Sequence, residues 1–345
     1  VTLKGGVSGS IDQPLVNLTL QGDHLAYADY RAGTIACEVK LDQDGRLLLS
    51  QLDLSHQGAN IQGRGSVQVF TADYQVDPFM PMTFDMSVAT LKVEDFWTQS
   101  PVKATFDGRM HLSGSVKQPQ AQLVLQGRGI TTLAGPIGDA ELKAKFDNGF
   151  CQVDALDITR GKTTVHLSGR VQVLAPDSFQ MLSDPEFQLD LAGKQIEMSD
   201  YTDQVSGTID IRTQLEGTVG DPRGTLAVLV DKIAFQGQPL DSAALDAVVG
   251  DRKIRLAPLR IRGLAGDEIN ARGWIGFDRS FDLSIGSDGW RLTQIGLLKD
   301  VGEVAGDLRF DFTGSGTLSA PVIDGNMQVS GLTLNRQPFK DISID

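Results

Sequence analysis

Cysteine, histidine, aromatic side chains and runs of positive charge are all scarce in this chain of 345 residues, and each scarcity removes a class of function. Two cysteines, Cys37 and Cys151, are not a disulfide framework. We expect two buried free thiols rather than a bridge. The four histidines, His24, His56, His111 and His166, are scattered without the close His or Cys spacing of a metal centre. Net charge is −13, with no cluster of Lys or Arg, so the chain is not expected to bind nucleic acid or an anionic bilayer surface.

Catalytic signatures are missing as well. There is no Gly-x-Ser-x-Gly elbow and no phosphate-binding loop; Gly127-Arg128-Gly129 lacks the third glycine and following helix of a dinucleotide site and reads as a loop. Asp42-Gln43-Asp44-Gly45 opens like a calcium loop but runs into Leu47-Leu48-Leu49, which is a strand, so a hairpin turn is expected. The many carboxylates read as solvated charges on an outer sheet face, where they also oppose edge-to-edge aggregation.

What the chain does contain is a long period. Gly9-Ser10-Ile11-Asp12-Gln13-Pro14, Gly114-Ser115-Val116-Lys117-Gln118-Pro119, Gly217-Thr218-Val219-Gly220-Asp221-Pro222 and Gly316-Thr317-Leu318-Ser319-Ala320-Pro321 share one pattern, and their prolines step by 105, 103 and 99 residues. Leu52-Asp53-Leu54, Leu156-Asp157-Ile158 and Leu259-Arg260-Ile261 keep the same phase, as do Gly65-Ser66-Val67, Gly169-Arg170-Val171 and Gly273-Trp274-Ile275. The chain is therefore one array of repeats of about a hundred residues, with units near 9–113, 114–216, 217–315 and a fourth begun at 316–345. Opening on Val1-Thr2-Leu3 and closing inside a repeat, it reads as a segment of a longer protein.

Inside each repeat apolar and polar residues alternate, the pattern of strands with one apolar face. The residues expected on that face are Val16, Leu18 and Leu20; Ile61, Val67 and Val69; Leu123 and Leu125; Val165, Leu167, Val171 and Val173; and Ile269, Ile275 and Phe277. Asp44-Gly45, Asn148-Gly149 and Gly250-Asp251 mark hairpin turns, so neighbouring strands are expected to be antiparallel. Helical periodicity is nearly absent, the best stretches being Val93–Thr98, Met198–Thr202 and Leu292–Val301, where Ile295, Leu298 and Val301 would share a face.

Such strands, paired in order, build an all-β, antiparallel-rich sheet with one wet and one apolar face, and the apolar face needs a cover. With few helices to supply it, the sheet is expected to curl over an apolar interior, on the order of thirty strands at a spacing of about 4.8 Å. A closed β-helix would show repeats of about twenty residues. Periodicity alone leaves open whether the interior is packed solid by side chains or holds a ligand.

The Gly-[Ser/Thr]-aliphatic-x-x-Pro anchor, followed by strands such as Leu123-Val124-Leu125-Gln126-Gly127 and Val165-His166-Leu167-Ser168-Gly169-Arg170-Val171, resembles the repetitive C-terminal half of the TamB/AsmA-like family across essentially the whole chain. The resemblance implies a β-taco, an elongated curled sheet with an open apolar groove. It implies an inner-membrane-anchored protein spanning the periplasm of a Gram-negative bacterium, with phospholipid acyl chains as cargo and no cofactor. It also implies a role in outer-membrane biogenesis beside an Omp85-type partner, engaged through a C-terminal segment not recognisable here. Set against the conduit is a structural or chaperone-like scaffold acting through exposed strand edges.

With no nucleophile, base or metal constellation to carry turnover, the purified chain is expected not to hydrolyse lipids, glycans or peptides. Reproducible turnover abolished by one point substitution would overturn that expectation.

Overall fold

Alternation, hairpin turns and repeat phase meet in one antiparallel sheet of 23 strands that does not close into a barrel; strand takes up 76% and helix 4% of the computed structural model. It describes every residue except 11–13, 72, 74, 176–179, 203–204, 236–237, 297 and 299–301. Residues 11–13 of the first anchor and Val301 of the third helical stretch thus lie outside the described residues. The count falls below thirty because most strands run long, 8 to 15 residues.

Two units are described separately. The first, Val1–Gly161 with His166–Pro185, is a meander. Its strands are β1 (Thr2–Gly9), β2 (Pro14–Tyr27), β3 (Tyr30–Leu41), β4 (Arg46–His56), β5 (Ala59–Gln68), β6 (Met82–Lys92), β7 (Val102–Gly114), β8 (Pro119–Thr132), β9 (Gly135–Asp147) and β10 (Phe150–Arg160). Each pairs antiparallel with the next. β11 (Thr163–Gln172) is divided between the two units.

The second unit, Lys162–Val165 with Glu186–Asp345, continues the pattern. It comprises β12 (Glu186–Glu197), β13 (Val205–Thr218), β14 (Pro222–Phe235), β15 (Gln238–Pro239), β16 (Ser242–Gly250), β17 (Lys253–Arg262), β18 (Glu268–Gly276), β19 (Ser280–Arg291), β20 (Val304–Thr317), β21 (Ala320–Leu334), β22 (Gln337–Pro338) and β23 (Ile342–Ile344). The three helical stretches shrink to single turns: α1 (Val93–Phe96) and 3-10 turns at Met198–Asp200 and Leu292–Gln294. Each sits between the fifth and sixth long strands of its repeat.

The anchor motif is a hairpin loop joining one repeat to the next. Gly114 pairs with Pro119, Gly217 with Pro222 and Gly316 with Pro321. The Ser115 hydroxyl accepts the Gln118 N–H at 3.0 Å and the Thr218 hydroxyl accepts the Asp221 N–H at 3.2 Å, which accounts for Ser or Thr at that place. Gly114 has φ +88°, and a Cβ there would meet the Gln118 carbonyl at 2.3 Å, so the position demands glycine. The aliphatic member is a loop apex and no core residue: Val116, Val219 and Leu318 are 61%, 63% and 67% exposed.

Asp42–Gly45 is a hairpin turn, with the Asp42 carboxylate accepting the N–H groups of Asp44 and Arg46 at 3.0 and 2.9 Å. Asn148-Gly149 turns as expected, but the third hairpin turns on Asp251-Arg252, both in the left-handed region, and Gly250 only closes β16. Gly127-Arg128-Gly129 is no loop; it lies within β8, at a bulge.

That bulge is one of a series. His24, Gly129, Lys232 and Gly331 all have positive φ, and they step by the same 105, 103 and 99 residues as the anchor prolines. A bulge bends its strand and sharpens its twist, and it frees an N–H from the ladder. At several bulges a carboxylate accepts that N–H: Gly129 donates to Asp139 at 2.8 Å and Gly331 to Asp341 at 3.1 Å, and, at a second bulge in the repeat, Thr90 donates to Asp107 at 2.9 Å and Gln195 to Asp210 at 2.7 Å. These aspartates hold the backbone bend and are not merely solvated charge.

The bends bring distant parts of one rim together. In the first unit Thr98, just beyond α1, donates its N–H to the Asp29 carbonyl at 3.1 Å, and Trp97 stacks on Tyr30 at 6.1 Å. Between them lie β3 to β6, which in a flat sheet would hold them about 19 Å apart. In the second unit Gln238 of β15 binds the Gln294 carbonyl and the Gly296 N–H in the same way. Within each of these repeats the sheet curls until its last connection meets its first hairpin.

Replacing Asp107 by Ala should cost about 1–2 kcal/mol, because the Thr90 N–H loses its acceptor. Asp107→Asn, which keeps an oxygen, should cost less. Urea unfolding of both variants checks this, and equal losses would argue against the capping role.

Candidate functional site: the apolar face

Strand register turns the alternation into continuous rows. In the first unit Val7, Val16, Leu41, Leu47, Val67 and Met82 are partners on successive strands. A second row runs Leu3, Leu20, Cys37, Leu52, Gly63, Met86, Met110, Leu123, Ala144, Val153. A third runs Ile35, Leu54, Ile61, Val88, Gly108, Leu125, Leu142, Leu156. Leu18 belongs to the row of Val39, Leu49, Gly65 and Phe84. Seven of the expected face residues, Val16, Leu18, Leu20, Ile61, Val67, Leu123 and Leu125, therefore share one face.

In the second unit Ile269 ends the row Ile196, Ile209, Val230, Ala243, Ile261, and Ile275 stands between Ile254 and Phe281. Val165 lies 3.6 Å from the position a Gly193 Cβ would take, beside Ile211. Leu167 and Val171 are half-buried residues of β11. Val69, Val173 and Phe277 are corrected: all three lie beyond the ends of their strands. Their N–H groups bond the carbonyls of Gly45, Gly149 and Arg252 at 3.0, 2.8 and 3.0 Å, which makes them part of the rim, where the ladder has already ended.

The face is open. No described side chain is buried below 2% exposure, and buried apolar residues are few and mostly small, with Trp290 and Leu292 the largest. The chain exposes 21137 Å², against about 13,600 Å² for a compact protein of this mass. In the first unit the face holds a concavity of 350 Å³ lined almost wholly by apolar side chains, among them Val39, Leu47, Leu49, Val67, Met82, Phe84 and Leu112. Gly65 lies beneath Phe84, whose ring a Cβ would meet at 2.7 Å.

Most of that lining, on β3, β4, β6 and β7, was not among the expected face residues, and bulges limit how far alternation alone can be carried along such strands. In β4 the face residues run 47, 49, then 52 and 54, because the bulge between Leu49 and Leu52 switches the parity. β6 does the same between Val88 and Leu91. Any count of alternate residues that crosses a bulge assigns the wrong face.

The opposite face is polar and laced with exposed ion pairs: Lys40 with Glu38, Lys143 with Glu141, and Lys145 with Asp154 at 2.8, 2.8 and 2.6 Å. Lys40 holds Glu38 below the usual carboxylate range, chiefly by its hydrogen bond. His111 and His166 lie 2.7 and 2.6 Å from Asp85 and Asp157. Among the described residues no three His, Cys, Asp or Glu side chains are placed to hold a metal ion, and no helix is long and apolar enough to cross a membrane.

Cys37 and Cys151 are free thiols, half-buried on the apolar face in β3 and β10 rather than fully buried. Seven strand spacings, about 34 Å along the sheet, separate them. No protein-family model, curated protein or solved structure matches the chain.

Burial raises the Cys37 thiol above its ordinary range. Its alkylation in a Cys151→Ser variant should therefore be slower at pH 7 than that of a small free thiol, and should accelerate only at higher pH. A pH–rate profile that superimposes on the free thiol would refute the face assignment of Cys37.

Proposed function

We propose that this chain carries phospholipid acyl chains along its apolar face, as part of a periplasm-spanning, inner-membrane-anchored protein of outer-membrane biogenesis. The observation behind it is an apolar face that is continuous across strands yet has no packed second layer. Each methylene taken from water contributes about 0.8 kcal/mol, so ten of them laid on such a face would gain about 8 kcal/mol before ordering costs. The polar face offers acyl chains no comparable seat. Location and cargo follow from the resemblance to the TamB/AsmA-like repeats, and an Omp85-type protein remains the proposed partner.

Because the sheet does not close into a barrel, a second reading is a structural or chaperone-like scaffold that pairs an exposed strand edge with a strand from an outer-membrane protein. Lipid occupancy separates the two readings.

Organic extracts of the purified chain should contain phospholipid by mass spectrometry, and Val67→Arg, which puts a charge into the apolar concavity, should lose it. A photo-reactive residue at Leu125 should crosslink lipid in cells while one at Gln126, on the opposite face, should not. Equal crosslinking at both would mean lipid only coats the surface, and the conduit would have to be given up.

A further inference from the structure

The polar face of the first unit carries its own concavity, of 760 Å³, over β4 to β8. Two guanidinium groups line it, Arg64 and Arg109, and neither makes an ion pair among the described residues. For Arg64 the reason is visible. Its register partner is Asp85, but that carboxylate turns to His111 at 2.7 Å on the next strand. Arg109 has Ser87 and Val124 as partners, and neither is acidic. The other carboxylate of the concavity, Asp53, is occupied by the amides of Gln51 and Gln62.

Lys40, Lys143 and Lys145 on the same face are paired, whereas here two arginines without an ion pair among the described residues line one hollow. They lie two strands apart and two residues offset, so their Cα atoms stand about 12 Å from each other. Both side chains can therefore reach a ligand lying between them. Among the other lining residues, Ser87 and Gln122 offer a hydroxyl and an amide, which donate to and accept from hydroxyl groups, beside apolar residues such as Val124.

We infer that this concavity binds an anionic, hydroxyl-bearing ligand of the sugar phosphate or uronic acid class, with Arg64 and Arg109 clamping the anion and the amides reading the hydroxyls. Guanidinium is suited to the anion because its planar fork matches phosphate and carboxylate oxygens. A phospholipid headgroup is disfavoured, since its acyl chains would lie on the polar face. The site is independent of the apolar face and of the acyl-chain proposal.

Calorimetric titration of the intact chain at low salt tests it, with glucose 6-phosphate, glucuronate, glucose and inorganic phosphate as probes. Glucose 6-phosphate or glucuronate should bind about tenfold more tightly than glucose or phosphate, and the Arg64→Gln/Arg109→Gln double variant should lose that binding. Neither arginine has a partner to lose, so the variant should keep the parent's melting temperature. Arg223→Gln, in the other unit, should bind like the parent. Undiminished binding in the double variant, equal binding of phosphate alone, or no binding of either anionic sugar would overturn the inference.

Discussion

An antiparallel sheet that sends its apolar side chains to one side must cover that side with a second layer, close on itself, or leave it for something else to cover. Here the helical material amounts to three single turns, so a second layer is not available within the described residues. The strands instead bend at bulges that recur from repeat to repeat, and at several of them a carboxylate takes the freed N–H. The bend brings the rim contacts of Trp97 with Tyr30 and of Gln294 with Gln238 within reach, and it keeps the apolar face concave rather than flat.

The energetic character of the molecule follows. With no large side chain fully buried among the described residues, the protein gains little from close packing of a core, and depends on the hydrogen-bonded ladder, cross-strand apolar pairs and capped bends. The neighbour-to-neighbour pairing along the meander makes stability local: each strand is held by the two beside it, as in other repeat architectures. A ligand bound along the apolar face would add the contacts that an ordinary core supplies, which couples occupancy to stability.

The two faces also divide the chemistry. Apolar rows such as Ile35, Leu54, Ile61 and Val88 present no group able to fix a headgroup, while the polar face holds ion pairs such as Lys40 with Glu38 and the two arginines of the first unit's hollow. The proposed acyl-chain cargo and the proposed anionic ligand would therefore meet the protein on opposite sides of one backbone layer.

The strand class, the period of about a hundred residues, the hairpin at Asn148-Gly149 and the shared face of Val16, Ile61 and Leu125 were all determined by the sequence alone, because period-two alternation and turn chemistry are local properties. Tertiary structure decided the rest. One inserted residue between Leu49 and Leu52 reverses which side chains face the groove, and nothing in the run Leu47-Leu48-Leu49 announces it. Asp107 and Asp139 look like any surface carboxylate until the bulge beside each leaves an N–H without a ladder partner. The pairing of Asp85 with His111, which leaves Arg64 uncompensated, depends on strand register across 26 residues. Register and parity are properties of strands laid side by side, and only the folded sheet sets them.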